Sequence, residues 1–248
     1  MKTVTRVPAF FVPEPIAEAG TITLGEDAAR HLRVLRLGVG AALELLDGQG
    51  TRAAGLLRTL AKRNATVDIV DTKTVEALPA VHALVPIADR ERMLWLAEKA
   101  AELALTTWRP VLWHRSRSVT PRGEGSGFQT KVHARMVFAL EQSGGAWLPV
   151  TYPDAPPARA LAALPEGRRF VLDMAGTPIA SALRNLEGLA VTIAVGPEGG
   201  LEEEELRSLE DSGFERVSLG PTTLRFETAG VAAIAHARAA LAALEGAG

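Results

Sequence analysis

Cysteine is absent from this 248-residue chain, which excludes a disulfide framework and any thiolate metal site. The five histidines stand far apart without zinc-like spacing, so no metal is expected to take part in the chemistry. Long apolar runs are missing as well. The apolar patch within residues 1–12 is broken by Pro8, and the alanine-rich stretch near the C-terminus is interrupted by His236 and Arg238. Neither secretion nor membrane insertion is therefore expected, and a reducing cytoplasm fits. Charge of one sign is also lacking, since a net charge of -2 does not announce a nucleic-acid partner. Its distribution is uneven: residues 1–75 carry ten Lys/Arg against eight Asp/Glu, and the rest of the chain is net acidic. Within 108–135, Arg109, Arg115, Arg117, Arg122, Lys131 and Arg135 face a single acid, Glu124. Such a strip suits a local anionic partner, or is ordinary surface scatter.

The length allows two modest domains with separate cores. From Ala9 to about Val75, short apolar runs alternate with turn residues, and Asp47-Gly48 between two runs is a hairpin signal. This predicts a small antiparallel barrel or sandwich. One helix interrupts it, capped by Asp27, with Arg30, Arg33 and Arg36 in one row. Residues 72–79 read as a linker, after which strands and helices alternate. That pattern predicts a mainly parallel α/β sheet over 76–248. Phe170–Leu172 and Val191–Val195, apolar on both faces, are its buried strands.

Three loops follow predicted strands: Asp173–Gly176, Gly196-Pro197-Glu198-Gly199-Gly200, and Gly220 to Arg225. Ligands bind at the carboxyl edge of open parallel sheets, and glycine permits close backbone approach, although glycines also simply make turns. The second loop and the helix after it carry Glu198, Glu202, Glu203, Glu204 and Glu205. Carboxylates there would repel phosphates and accept a cationic or zwitterionic ligand, or else compensate the helix dipole. No Lys-Ser/Thr pair follows a glycine loop and no spaced Gly-x-Gly-x-x-Gly occurs, so nucleoside triphosphates and nicotinamide cofactors fit less well than a sulfonium donor.

Nearly the whole chain carries one ordered set of motifs: Arg6 and Phe10-Phe11-Val12, His31 through Leu37, Asp47-Gly48, Glu98-Lys99 with Glu102-Leu103, Arg117-Ser118-Val119, Glu141-Gln142-Ser143, Val195 through Gly200, and Leu219-Gly220 through Leu224-Arg225 to Glu227-Thr228-Ala229. In these the chain resembles the bacterial 16S ribosomal RNA uridine-N(3) methyltransferases, a branch of the SPOUT superfamily. The resemblance implies a PUA-like N-terminal β-barrel over 1–75 that binds RNA. It also implies an α/β catalytic domain over 76–248 whose second and third loops are threaded into a trefoil knot. S-adenosylmethionine would be held by Leu172, Val195, Gly196, Pro197, Glu198, Gly199, Gly200, Leu219, Gly220, Thr223, Leu224 and Arg225. A homodimer acting on ribosomal RNA, in the small subunit, is implied too; Val231, Ile234, Leu241 and Leu244 could give the last helix an apolar stripe for it, or could pack within the chain.

Methylating a uracil ring nitrogen requires loss of the imide proton. Arg225 could stabilise the anionic base, and Glu227 could accept the proton or simply suit a helix start. Arg6, Arg30, Arg33, Arg36, Arg115 and Arg117 are expected on RNA phosphates. The chain departs from the family pattern at Ala9, Ala88, Ala104 and Gly145, all in parts assigned to RNA contact or helix ends. The alternatives are a non-catalytic RNA-binding or ribosome-assembly protein with the same fold, and an enzyme using another small ligand such as a nucleotide.

Overall fold

Short apolar runs punctuated by glycine, proline and Asp-Gly turns fold the first part of the chain into strands. A computed structural model describes residues 7–116, 124–186 and 190–245. The first elements are β1 (Ala9–Phe11), β2 (Thr21–Leu24), α1 (Glu26–Val34), β3 (Ala42–Leu46), β4 (Thr51–Leu60) and β5 (Ala65–Thr74). They form a five-stranded sheet in the order β1-β3-β4-β5-β2. Its pairs are antiparallel except β1 with β3, which run parallel. This corrects the all-antiparallel expectation, because β2 and α1 intervene and supply the long crossover that a parallel return needs. The Asp47-Gly48 turn is present. The Asp47 carboxylate accepts the Gln49 and Thr51 amides at 2.8 and 2.9 Å, and Gly48 takes the positive φ of 69° that glycine makes easy.

Helix α1 differs from its expected form. Gly25 is the N-cap, and Asp27 lies inside the first turn, paired with Arg30. The helix ends before Arg36, so the three arginines do not share a row. Arg33 donates to the carbonyls of Ala61 and Lys62 at 2.7 and 3.0 Å. Arg36 sits at φ 56°, where its amide bonds Arg33 O and the Leu37 amide bonds Leu32 O. That is a Schellman motif with arginine at the position glycine usually takes.

The later elements are β6 (Val81–Pro86), α2 (Arg90–Glu102), β7 (Thr107–Val111), α3 (Ser126–Ser143), β8 (Val150–Thr151), α4 (Pro157–Leu161), β9 (Arg168–Pro178), α5 (Ile179–Ala182), β10 (Val191–Ala194), α6 (Glu203–Asp211), β11 (Phe214–Ser218) and α7 (Phe226–Glu245). The six strands form a wholly parallel sheet, ordered β11-β9-β10-β6-β7-β8. Strand β10 is buried along its length, with Thr192 the one polar residue among its apolar neighbours. In α7, Ile234 and Leu241 are buried within the chain, Val231 is half-buried and Leu244 is exposed, so most of that stripe is core.

Two compact units result. The second comprises Leu78–Ala139 and Pro149 onward, while the first takes the chain up to Ala77 together with Leu140–Leu148. In that returning segment Glu141 accepts the Phe11 amide at 2.8 Å, Arg52 donates to Gly144 O at 2.9 Å, and the Trp147 indole donates to Val75 O at 3.0 Å. Ala9 is buried against Leu46 and Leu140.

Ala104, where the resembled family has glycine, closes α2 with a second Schellman motif. Its φ is 55°, its amide bonds Ala101 O, and the Leu105 amide bonds Ala100 O. A left-handed alanine costs about 1–2 kcal/mol, partly offset by the greater chain entropy of an unfolded glycine. Ala104→Gly is therefore expected to stabilise the protein by about 0.5–1 kcal/mol in denaturant melts. A lower midpoint would show that the methyl group contributes packing that outweighs the strain.

Candidate active site

The carboxyl ends of β9, β10 and β11 lie side by side, because the parallel register stacks all three in one direction. Val171 pairs with Arg216, yet the next pair is Thr177 with Val217, so residues 172–176 bulge out of β9. The expected loop Asp173–Gly176 is thus a detour inside a strand. It is pinned at both ends. Asp173 accepts the Ala175 amide at 2.8 Å and meets Arg216 Nη1 at 3.3 Å, while a Cβ on Gly176 would fall 2.4 Å from the Val217 amide nitrogen.

These ends enclose a cavity of about 420 Å³, within the roughly 300–1,000 Å³ typical of small-molecule sites. Of the residues expected around a cofactor, Leu172, Val195, Gly196, Pro197, Glu198, Gly200, Leu219, Thr223 and Leu224 line it. Gly199, Gly220 and Arg225 do not. The Gly199 carbonyl accepts Arg115 Nη1 at 2.8 Å, so that residue faces the arginine. Gly220 has φ 142°, and Arg225 is exposed at the entry to α7. Met174, Leu201, Phe226 and Ala229 also form the wall. The spacing of Phe226 and Ala229, three apart on one helix, was a signal for their shared face.

The glutamate run divides into separate roles. Glu202 and Glu205 form a capping box on α6, and Glu205 also accepts the His114 amide at 2.7 Å. Glu202 meets His114 Nδ1 at 2.9 Å and Arg115 Nε at 3.4 Å. Glu198 alone of the five lines the cavity. Behind it, the buried Trp113 indole donates to Val195 O at 3.2 Å and holds the end of β10.

Arg92 is a site residue that the motifs did not single out. It stands in the first turn of α2, where a cation opposes the helix dipole, and that unfavourable placement was the available signal. Its guanidinium lies 3.5 Å from Glu198 and 3.8 Å from Glu227. Glu227 is 8% exposed, and its Oε2 has no hydrogen-bond partner among the described residues. Arg92 thereby ties a cavity residue to the carboxylate at the start of α7.

Among the described residues, several of the basic side chains are engaged close by within their own unit. Arg30 and Arg33 are bonded within the first unit, Arg115 is bound to the 199–202 loop, and Arg135 pairs with Glu98 at 3.4 Å. Arg6 and Arg117 lie outside the described residues, as do Ser118 and Val119. Among the described residues no cluster could hold a metal ion, and no helix is long and apolar enough to cross a membrane.

The model of an RNA methyltransferase domain matches residues 76–238, and that of an RNA methyltransferase PUA domain matches 24–70. The ribosomal RNA small subunit methyltransferase E of Aquifex aeolicus is 28% identical over 86% of this chain and 92% of its own length. The Synechocystis protein of the same name is 30% identical over 92% of this chain and 76% of its own. A Neisseria gonorrhoeae ribosomal RNA small subunit methyltransferase E, solved bound to S-adenosyl methionine, superposes with a TM-score of 0.84 at 28% identity, covering 93% of this chain and 96% of that one. A Legionella pneumophila structure, 24% identical with a TM-score of 0.87 over 95% and 98%, has the same fold. With a glycine-lined cavity at the carboxyl edge of a parallel sheet and a domain model spanning that whole sheet, the chain belongs to the RNA methyltransferase family.

Proposed function

We propose that this protein methylates ribosomal RNA with S-adenosylmethionine as donor, at N-3 of a uridine in the 16S RNA, acting as a cytoplasmic homodimer. The observation that carries the reading is the 420 Å³ cavity between the bulge of β9 and the loops after β10 and β11. Its residues fit the donor. Leu172, Met174 and Leu224 supply apolar wall, and the Asp173 and Glu198 carboxylates suit a cationic sulfonium and its ammonium group. When bound, the donor supplies an activated methyl group. Glycines 196 and 200 let the backbone approach it, and Trp113 holds Val195 in place. Arg225, exposed beside Leu224, would stabilise the anionic base, and Glu227, 3.8 Å from Arg92, is the candidate proton acceptor. The threading of the two glycine loops into a trefoil knot belongs to the same reading, as does RNA binding by residues 1–75.

The test is calorimetry with S-adenosylmethionine and with ATP, followed by mass mapping of ribosomal RNA from a deletion strain. Binding of the first ligand alone, with loss of one N-3-methyluridine that the restored gene returns, is expected. Unchanged RNA modification would sustain the non-catalytic alternative instead.

Arg36 offers a sharper test of the RNA surface. Its strained backbone would be relieved by glycine, and its guanidinium stands exposed to solvent, where it would meet a phosphate. Arg36→Gly is expected to raise stability by about 0.5–1 kcal/mol while lowering RNA affinity, with the logarithmic salt slope shallower by roughly 0.7–0.9. An unchanged slope over a salt series would remove Arg36 from the interface.

A further inference from the structure

At the opposite, amino-terminal edge of the parallel sheet, the register places four polar side chains in one row. Arg169 of β9 is the partner of Thr192 in β10, Thr192 of His82 in β6, and His82 of Thr107 in β7. One step along the same face the row is Val171, Ala194, Leu84 and Arg109, of which the first three belong to an apolar core cluster. Polar groups in the middle of such a sheet cost free energy unless something satisfies them. Thr192 is 1% exposed in a strand otherwise wholly apolar.

Beside this row lies a second cavity of about 160 Å³, lined by His82, Thr107, Arg109, Tyr152 and Thr192 and closed by residues 163–165. Arg109 stacks 4.0 Å above the Tyr152 ring and has no carboxylate partner among the described residues. His82 Nδ1 and Thr107 Oγ1 are 2.9 Å apart. At the end of the row Arg169 binds the Ser212 and Pro165 carbonyls, while its buried Nε has no acceptor among the described residues. No acidic residue lines the cavity. Burial first, and then the positive Arg238 and Arg109, hold the His82 imidazole below its usual titration range.

We propose that this second cavity is a binding site for a phosphate-type oxyanion, distinct from the cofactor cavity. Its volume equals roughly five water molecules, enough for one tetrahedral anion. A planar guanidinium, the Thr192 hydroxyl and the one proton that the hydrogen-bonded His82–Thr107 pair has left to offer are donors that recognise such a group. The anion is either free or a phosphate group carried by RNA. The inference rests on the row and its cavity and does not depend on the proposed methylation.

The experiment follows the imidazole resonances of His82 by NMR in the full chain. Inorganic phosphate is titrated against a sodium chloride control of equal ionic strength, and a 5′-phosphorylated trinucleotide against its unphosphorylated form. A saturable shift with inorganic phosphate is expected, weakened at least tenfold in Arg109→Gln and in the near-isosteric Thr192→Val. Affinity for S-adenosylmethionine should stay at the wild-type value in both variants. A response to the phosphorylated trinucleotide alone would identify the phosphate group of RNA as the ligand. No saturable shift from either probe, or equal affinity in folded Thr192→Val and in the wild type, overturns the proposal. Should Arg109→Gln fail to fold, the threonine variant carries the comparison.

Discussion

Gly196→Val is expected to lower S-adenosylmethionine affinity at least a hundredfold, about 2.7 kcal/mol, in a chain that still folds. Gly196 lines the cavity, and a Cβ there would lie 3.0 Å from Leu201 Cγ and 3.6 Å from the Leu201 amide nitrogen. Valine adds two methyl groups beyond that point. The loop must then move away from Leu201 or into the cavity, and either shift removes backbone from the place where the donor packs. Gly199→Ala is the matched control. Its Cβ would meet only the Arg115 side chain, with Cβ and Cδ both at 3.2 Å, and it does not line the cavity. Its affinity should stay within about threefold of wild type, since any readjustment falls on Arg115, which lies outside the cavity wall. Calorimetry on both variants, with thermal melts to confirm folding, makes the comparison. Wild-type affinity in folded Gly196→Val would reduce the loop to a turn.

Arg225→Ala is expected to slow methyl transfer by about 10²–10³-fold, the effect of removing one group that stabilises a developing anion. Cofactor affinity should change less than about threefold, because the side chain is exposed and lies outside the cavity wall. Single-turnover rates at saturating RNA, with donor affinity on the same samples, separate the two effects. A loss confined to donor affinity would place Arg225 among the cofactor contacts. Glu227→Gln extends the comparison. If Glu227 accepts the proton, kcat falls and its pH profile changes while the melting temperature is kept. If the carboxylate only anchors Arg92 and the start of α7, the melting temperature falls instead.

Much of this site could be read from residues close together in sequence. The loop after β10 follows a run that is apolar on both faces, and its glycines announce either a turn or a close approach. Nine of the twelve residues that the family resemblance implies around a cofactor line the cavity, whereas strand ends and loop composition alone mark only where the three glycine-containing segments begin. The departures at Gly199 and Arg92 have a common origin. Gly199 and Arg115 face each other across 84 residues of chain, and Arg92 reaches Glu198 across 106. No local period contains either distance.

By itself, then, the sequence determined the element types, the two textures of the chain and the extent of β10, because hydrophobic period and turn chemistry act over a few residues. Register and chain return were decided by the tertiary structure. Only it sets β1 parallel to β3, brings 140–148 back to the first unit, and turns 173–176 from a loop into a bulge. Only it aligns Arg169, Thr192, His82 and Thr107, which come from four separate strands. Cross-strand partners are chosen by which faces of the whole sheet are buried together, and that free energy exists only once distant segments have packed.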